Sequence, residues 1–230
     1  MKTILKSFIY SFYFAKISLK NYLPLILYLV ISQFLIMITQ NMLLVLVFFM
    51  LYLIASAPVA LNIFRNIIAE ENIINSYSYF IGKSFSKLFV KKIMYLAASM
   101  FLIYLVHIII LSPFFPAEIQ EITPYLYILF MYMIYIYTRI IFILPAASIN
   151  ISKSLKDSYV LTRGNSIRIY LMYISILVPY LLINLVISKY AGINYEFIFV
   201  SISILMQIFF TIISSTLIAY IYKDFFKEVD

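Results

Sequence analysis

Apolar and polar positions alternate along this chain in long blocks. Apolar runs of about 18–25 residues, long enough to cross a hydrocarbon core, cover residues 22–39, 42–64, 93–112, 125–147, 167–188 and 197–222. Each run must be helical, because lipid offers an unpaired strand edge no hydrogen-bond partner. Alternation of period two, the mark of an outer-membrane barrel, is missing from the runs. The pattern predicts an all-α polytopic membrane protein. A single integral domain spans residues 1–230, with six transmembrane helices and cytoplasmic amphipathic interfacial helices.

The polar blocks carry their own periodicity. At about 100° per residue, Lys2, Lys6, Lys16 and Lys20 fall within an arc of roughly 80°, and Ile4, Leu5, Phe8, Ile9, Phe12 and Tyr13 fill the other side. Residues 1–20 therefore read as a basic amphipathic helix lying on an anionic leaflet. Asn21 is the N-cap expected for the first span, with Pro24 in its first turn. Residues 65–92 are too long and too patterned for a plain loop, and predict interfacial helices broken near Gly82. Residues 152–162 form a second amphipathic piece, with Leu155 and Tyr159 one turn apart. Gly164 is placed to end it in a left-handed conformation, and Asn165 or Ser166 to cap the next helix. Pro58, Pro145 and Pro179 are kink sites within spans. Pro145, Gly164, Gly82 and Pro179 are thus the hinge and corner positions.

Charge orients the layout. With six spans and a cytoplasmic N-terminus, fifteen of the 17 Lys and Arg residues fall on the inside, Lys189 falls outside, and Arg139 lies within a span. The positive-inside rule then puts both termini in the cytoplasm. A net charge of +8 invites a nucleic-acid reading, but retained basic loops account for it better. Two local matches point to a parallel repeat: residues 57–62 with 144–150, and 82–85 with 164–167.

The candidate chemistry is sparse. The chain has no cysteine and one histidine, His107, too few for a thiol or His-based metal site. There is no phosphate-cradling glycine loop, no H-E-x-x-H and no acid within a span, which argues against an ion-coupled transporter or an intramembrane protease. No catalytic, cofactor-binding or metal-ligating residue is expected. Tyr125, Tyr132, Tyr135 and Arg139 share one face of the fourth span. An intramembrane arginine is costly unless paired, hydrated or snorkelling. Two readings stay open: an anion or lipid-headgroup site formed by Arg139, Tyr132, Tyr135, Arg163 and Arg168, or a structural arginine that snorkels to the cytoplasmic leaflet or bonds to carbonyls freed by the proline kink. In the sixth span Ser203, Gln207, Thr211, Ser215 and Ala219 recur at every fourth position, a row of small and weakly polar residues that suits helix packing. Gln33 and Asn184 are expected partners for bonds between helices.

Two stretches resemble a known family. They are Arg139-Ile-Ile-Phe-Ile-Leu-Pro145 and Ser154-Leu-Lys-Asp-Ser-Tyr-Val-Leu-Thr-Arg-Gly164-Asn-Ser-Ile-Arg-Ile169. Their arginine, proline and "LTRG" segment are similar to those of bacterial six-helix membrane proteins. That family includes the membrane domain beside some glycerophosphodiester phosphodiesterases and the YciC-type inner-membrane proteins. Ile218-Ala-Tyr-Ile-Tyr-Lys-Asp224 is similar to the end of that family's last helix. Ser154 stands where the family has alanine. The resemblance implies a bacterial inner membrane, and a non-catalytic envelope protein, because the phosphodiesterase site belongs to a separate soluble barrel. The expected role is envelope or lipid homeostasis through anionic phospholipids, a membrane-protein partner or a second copy, without nucleic acid. The alternative is a small transporter or lipid-handling channel with Arg139 and the tyrosines of the fourth span lining the path.

Overall fold

The computed structural model describes residues 2–39, 42–71, 82–111, 119–190 and 196–226. These form eight helices and no strand: α1 (Lys2–Thr39), α2 (Met42–Ile68), α3 (Ser84–Leu111), α4 (Ile119–Ile140), α5 (Ile143–Ser148), α6 (Leu155–Leu161), α7 (Ser166–Tyr190) and α8 (Glu196–Phe226). Among the described residues five stretches are long and apolar enough to cross a membrane: Leu51–Ile68, Ser84–Ile110, Tyr127–Ser148, Ser166–Ile187 and Ser201–Phe226. The first predicted span falls on the second half of α1, most of whose side chains lie outside the described set, as does that of Gln33. Of the predicted interfacial stretch 65–92, residues 72–81 also lie outside it; in the rest, residues 65–68 continue α2 and residues 84–92 are the first turns of α3, so no separate interfacial helix follows Gly82.

Helix α8 is the centre of the bundle, packed against α1, α2, α7 and α5. Burial concentrates at one end, where α2 finishes, α3 and α7 begin, and α8 finishes. Every residue from Ile140 to Ser148 is buried there. Phe142 stacks on Tyr222 and meets Phe226 edge-on, with ring centroids 6.4 and 5.1 Å apart. Lipid gives apolar helices no hydrophobic reason to associate, so close packing and polar bonds at this end carry the tertiary structure.

Helix α1 differs from the sequence expectation. One 38-residue helix replaces an interfacial helix followed by a new start at Asn21. Its first turns pack on α8: Ser7, Ser11 and Phe14 are buried, while Leu5, Ile9, Phe12 and Tyr13 stay more than 60% exposed. The buried serines bond back to Thr3 and Ser7 carbonyl oxygens at 2.8 and 2.6 Å, so a close approach leaves no polar group stranded. Thr3 Oγ1 donates to Asp224 at 3.2 Å and the Tyr10 hydroxyl to Asn66 at 2.7 Å. The first bond ties the start of α1 to the end of α8, so the two run antiparallel, and the second ties α1 to α2; together they remove the reason for a break.

The fourth predicted span is also divided. Pro145 has no N–H for the Ile141 carbonyl, and Leu144 N–H takes that acceptor at 3.0 Å in a tighter turn. The result is an interruption at Ile141–Phe142, so a kink becomes two helices. α5 then ends in a Schellman motif. Asn150 has φ +67°, Ile151 N–H reaches Ala146 O at 2.9 Å, and Asn150 N–H reaches Ala147 O at 3.1 Å.

The two connections in the suspected repeat share a backbone layout. Glu70 and Asn150, each two residues past a helix end, have φ +56° and +67°. Gly82 and Gly164, each two residues before a helix start, have φ +82° and +89°. A left-handed residue thus marks both the exit from and the return to the bundle. Pro58 and Pro179 lie within α2 and α7.

Candidate functional site

Arg139 sits in the last turn of α4 and is 7% exposed. Ser154 starts α6 with a capping box. Its hydroxyl accepts from Asp157 N–H at 3.1 Å, and the Asp157 carboxylate accepts from Ser154 N–H at 2.8 Å. The helix so started folds back onto Arg139. Arg139 Nε donates to Thr162 Oγ1 at 3.1 Å and Nη2 to the Tyr159 carbonyl at 2.7 Å. The guanidinium carbon lies 3.5 Å from the Tyr159 ring centroid, a cation–π contact. Ser158 Oγ returns a bond to the Arg139 carbonyl at 2.8 Å. The fully buried positions are therefore Ser158 on α6 and Thr162 just past its end. Leu155 is half-buried, and Tyr159 is covered on one side by the guanidinium.

The other residues predicted to join Arg139 are spread out. Tyr135 is beside it, with the guanidinium carbon 5.9 Å from the ring, and meets Tyr170 edge-on at 5.7 Å. Tyr132 is 42% exposed and packs on His107, ring centroids 5.0 Å apart. His107 Nδ1 is 2.7 Å from the Ile103 carbonyl oxygen of its own helix. Arg163 and Arg168 are exposed, and the Arg168 guanidinium lies 5.0 Å from the Phe225 ring. Lys156 is exposed alongside them, as are Val160 and Ile167.

A second arginine clamp went unread in the sequence. Arg65, near the end of α2, pairs through Nε and Nη2 with both carboxylate oxygens of Glu71. Its Nη1 donates to the Ser148 carbonyl at 2.6 Å, and its guanidinium covers the Phe85 ring at 3.9 Å. One side chain thus joins α2, α3 and the end of α5. Nothing in the spacing of residues 65, 71, 85 and 148 marks them as neighbours.

The second feature is a partly open cavity of about 640 Å³ between α2, α3, α4, α5, α7 and α8. Its polar residues are five tyrosines, at 52, 104, 137, 173 and 180, with Gln207, Thr211 and the serines of α2 and α8. Phe64, Ile93, Leu144 and Ile218 are among the apolar residues that line it. Among the described residues no charged side chain and no histidine lines it. The Tyr52 hydroxyl and Thr211 Oγ1 share a 2.7 Å bond across α2 and α8. Arg139, Tyr132 and Tyr135 are elsewhere.

The packing row on α8 divides between two tasks. Ser203 Oγ donates to Asn184 Oδ1 at 3.2 Å, tying α8 to α7, and Ala219 is fully buried. Gln207, Thr211 and Ser215 line the cavity. The periodic row was the one sequence signal for this site; the tyrosines were hidden among the chain's 22. Compared with known proteins, the chain matches no family model, no curated protein and no solved structure.

Proposed function

We propose that this chain is a non-catalytic multi-pass protein of a bacterial inner membrane, with both termini cytoplasmic. In this reading it serves envelope or lipid homeostasis by holding anionic phospholipid headgroups at its basic end, alone or together with a membrane-protein partner. One observation carries the proposal. Arg139 is engaged by Thr162 and Tyr159, while Lys156, Arg163 and Arg168 are exposed beside the exposed apolar residues Val160 and Ile167. Mixed basic and apolar exposure suits the boundary between headgroups and acyl chains. The resemblance of residues 139–169 to the six-helix family supports the same role.

The test is binding of fluorescent phosphatidylglycerol or phosphatidylcholine to detergent-solubilised protein at low and high salt. Preference for phosphatidylglycerol that weakens with salt and vanishes in Lys156→Glu/Arg163→Glu/Arg168→Glu supports the proposal. Equal binding of the two lipids contradicts it.

The cavity favours a second reading, a lipid-handling channel or small transporter. Its path would run between α2, α3 and α8 rather than past Arg139.

A further inference from the structure

We infer that the cavity between α2, α3, α4, α5, α7 and α8 is a binding site for a neutral single-chain lipid whose head carries hydroxyl or carbonyl groups. This deepens the lipid-handling reading and rests on it for the place, not for any movement of lipid.

Four observations converge. The volume of about 640 Å³ falls within the roughly 300–1,000 Å³ of pockets that bury a small ligand. The lining is mainly apolar, and its polar groups are all uncharged. A phosphate or carboxylate would be buried there without a cation, at a high desolvation cost. A hydroxyl or ester group would meet donors and acceptors of its own kind.

Two of those polar groups are unused. The side chains of Gln207 and Ser215 make no hydrogen bond to any described residue, although both line the cavity. An amide offers two donors and an acceptor, so Gln207 is equipped to fix a hydroxyl-bearing head.

Access is lateral. Phe101 and Tyr104 line the cavity and are 48% and 40% exposed on the outer side of α3. Only 11% of the Ser84–Ile110 stretch is buried, against 53% for Leu51–Ile68. Of these two walls α3 is the more exposed one, so a chain can enter from the bilayer beside it.

The experiment compares monooleoylglycerol with oleate, which share a chain and differ in head charge. The purified full chain is titrated with each at a pH where oleate is ionised, and complexes are counted by native mass spectrometry. Monooleoylglycerol is expected to bind about tenfold or more tightly than oleate. Gln207→Leu is expected to weaken it about fivefold. Ala97→Phe and, independently, Ala60→Phe, each filling the cavity from a different helix, abolish it with helicity and elution volume unchanged. Binding that persists when no lipid exchange between vesicles is detected supports the inference and sinks the transport reading. Oleate binding as tight as monooleoylglycerol, or wild-type binding in both filled variants, overturns the inference.

Discussion

Arg139 of α4 and Tyr159 of α6 meet although α5 lies between them in the chain. The guanidinium carbon stands 3.5 Å from the tyrosine ring centroid, and Nη2 donates to the same residue's carbonyl at 2.7 Å. The charge in the fourth span is therefore spent on holding α6 against α4. Arg139→Leu leaves the buried Thr162 hydroxyl without its donor and the Tyr159 carbonyl with the Thr162 hydroxyl alone, at about 1–3 kcal/mol for the buried hydroxyl. Thermal unfolding in detergent is expected to shift down by several degrees, with faster hydrogen exchange across Leu155–Leu161. Arg139→Lys is not expected to restore either, because an ammonium lacks the planar fork and the stacking face. An unchanged melting temperature and unchanged exchange in Arg139→Leu would contradict the clamp.

The cap of α6 predicts a pH dependence. The Asp157 carboxyl is held below the usual carboxylate range by the Ser154 backbone N–H and then the Ser154 hydroxyl, with Lys153 and Lys156 adding to the effect. A lowered folded-state value makes the ionised cap a stabilising group. Its contribution is complete above the ordinary Asp value of about 3.9 and is lost as pH falls through the lower folded value. The protection of the α6 amides, corrected for the intrinsic pH dependence of exchange, should fall in acid below that range and stay flat from there to neutrality. Asp157→Asn should flatten the acid limb; a limb that survives the substitution assigns it to another group.

Gly164 is a second local test. Its φ is +89° and nothing lies within 4 Å of a built Cβ, so Gly164→Ala meets backbone strain and no clash. The expected cost is about 1 kcal/mol, seen as a lower melting temperature with retained helicity. Gly82→Ala, at φ +82° and equally open, should behave alike if the two connections are equivalent. A neutral effect at one and a penalty at the other would separate them.

Legibility in the sequence tracks the range of each interaction. The left-handed Gly164 is set by neighbours within a few residues, and side-chain type alone announced it; the Ser154–Asp157 cap and the left-handed Asn150 are equally local but were found only in the structure. The break before Pro145 was half-legible: a missing N–H was evident, but Leu144 taking over the Ile141 carbonyl was not. The continuity of α1 was hidden, because it depends on Tyr10 reaching Asn66 and Thr3 reaching Asp224. The serines at positions 7 and 11 were its one local hint. The cavity was hidden for a related reason. Tyr52, Tyr137, Tyr173 and Tyr180 come from three helices, α2, α4 and α7, and nothing in their spacing separates them from the tyrosines that face outward.

The α8 row gives a further prediction. Ser203→Ala removes the bond to Asn184 and Thr211→Val the bond to Tyr52. Such bonds between membrane helices contribute about 0.6 kcal/mol on average, so each variant should melt slightly lower. Their effects should add, since they tie different helix pairs. Strong coupling in the double variant would show that α7 and α2 report on one shared element.

The proposed function turns on which cations meet the headgroups. The direct measurement is native mass spectrometry of lipids retained after purification, comparing wild type, Arg139→Gln and Lys156→Glu/Arg163→Glu/Arg168→Glu. Retained anionic phospholipid in wild type and Arg139→Gln, with loss in the triple variant, is the predicted result. Loss in Arg139→Gln with retention in the triple variant contradicts the account and returns the headgroup site to the fourth span.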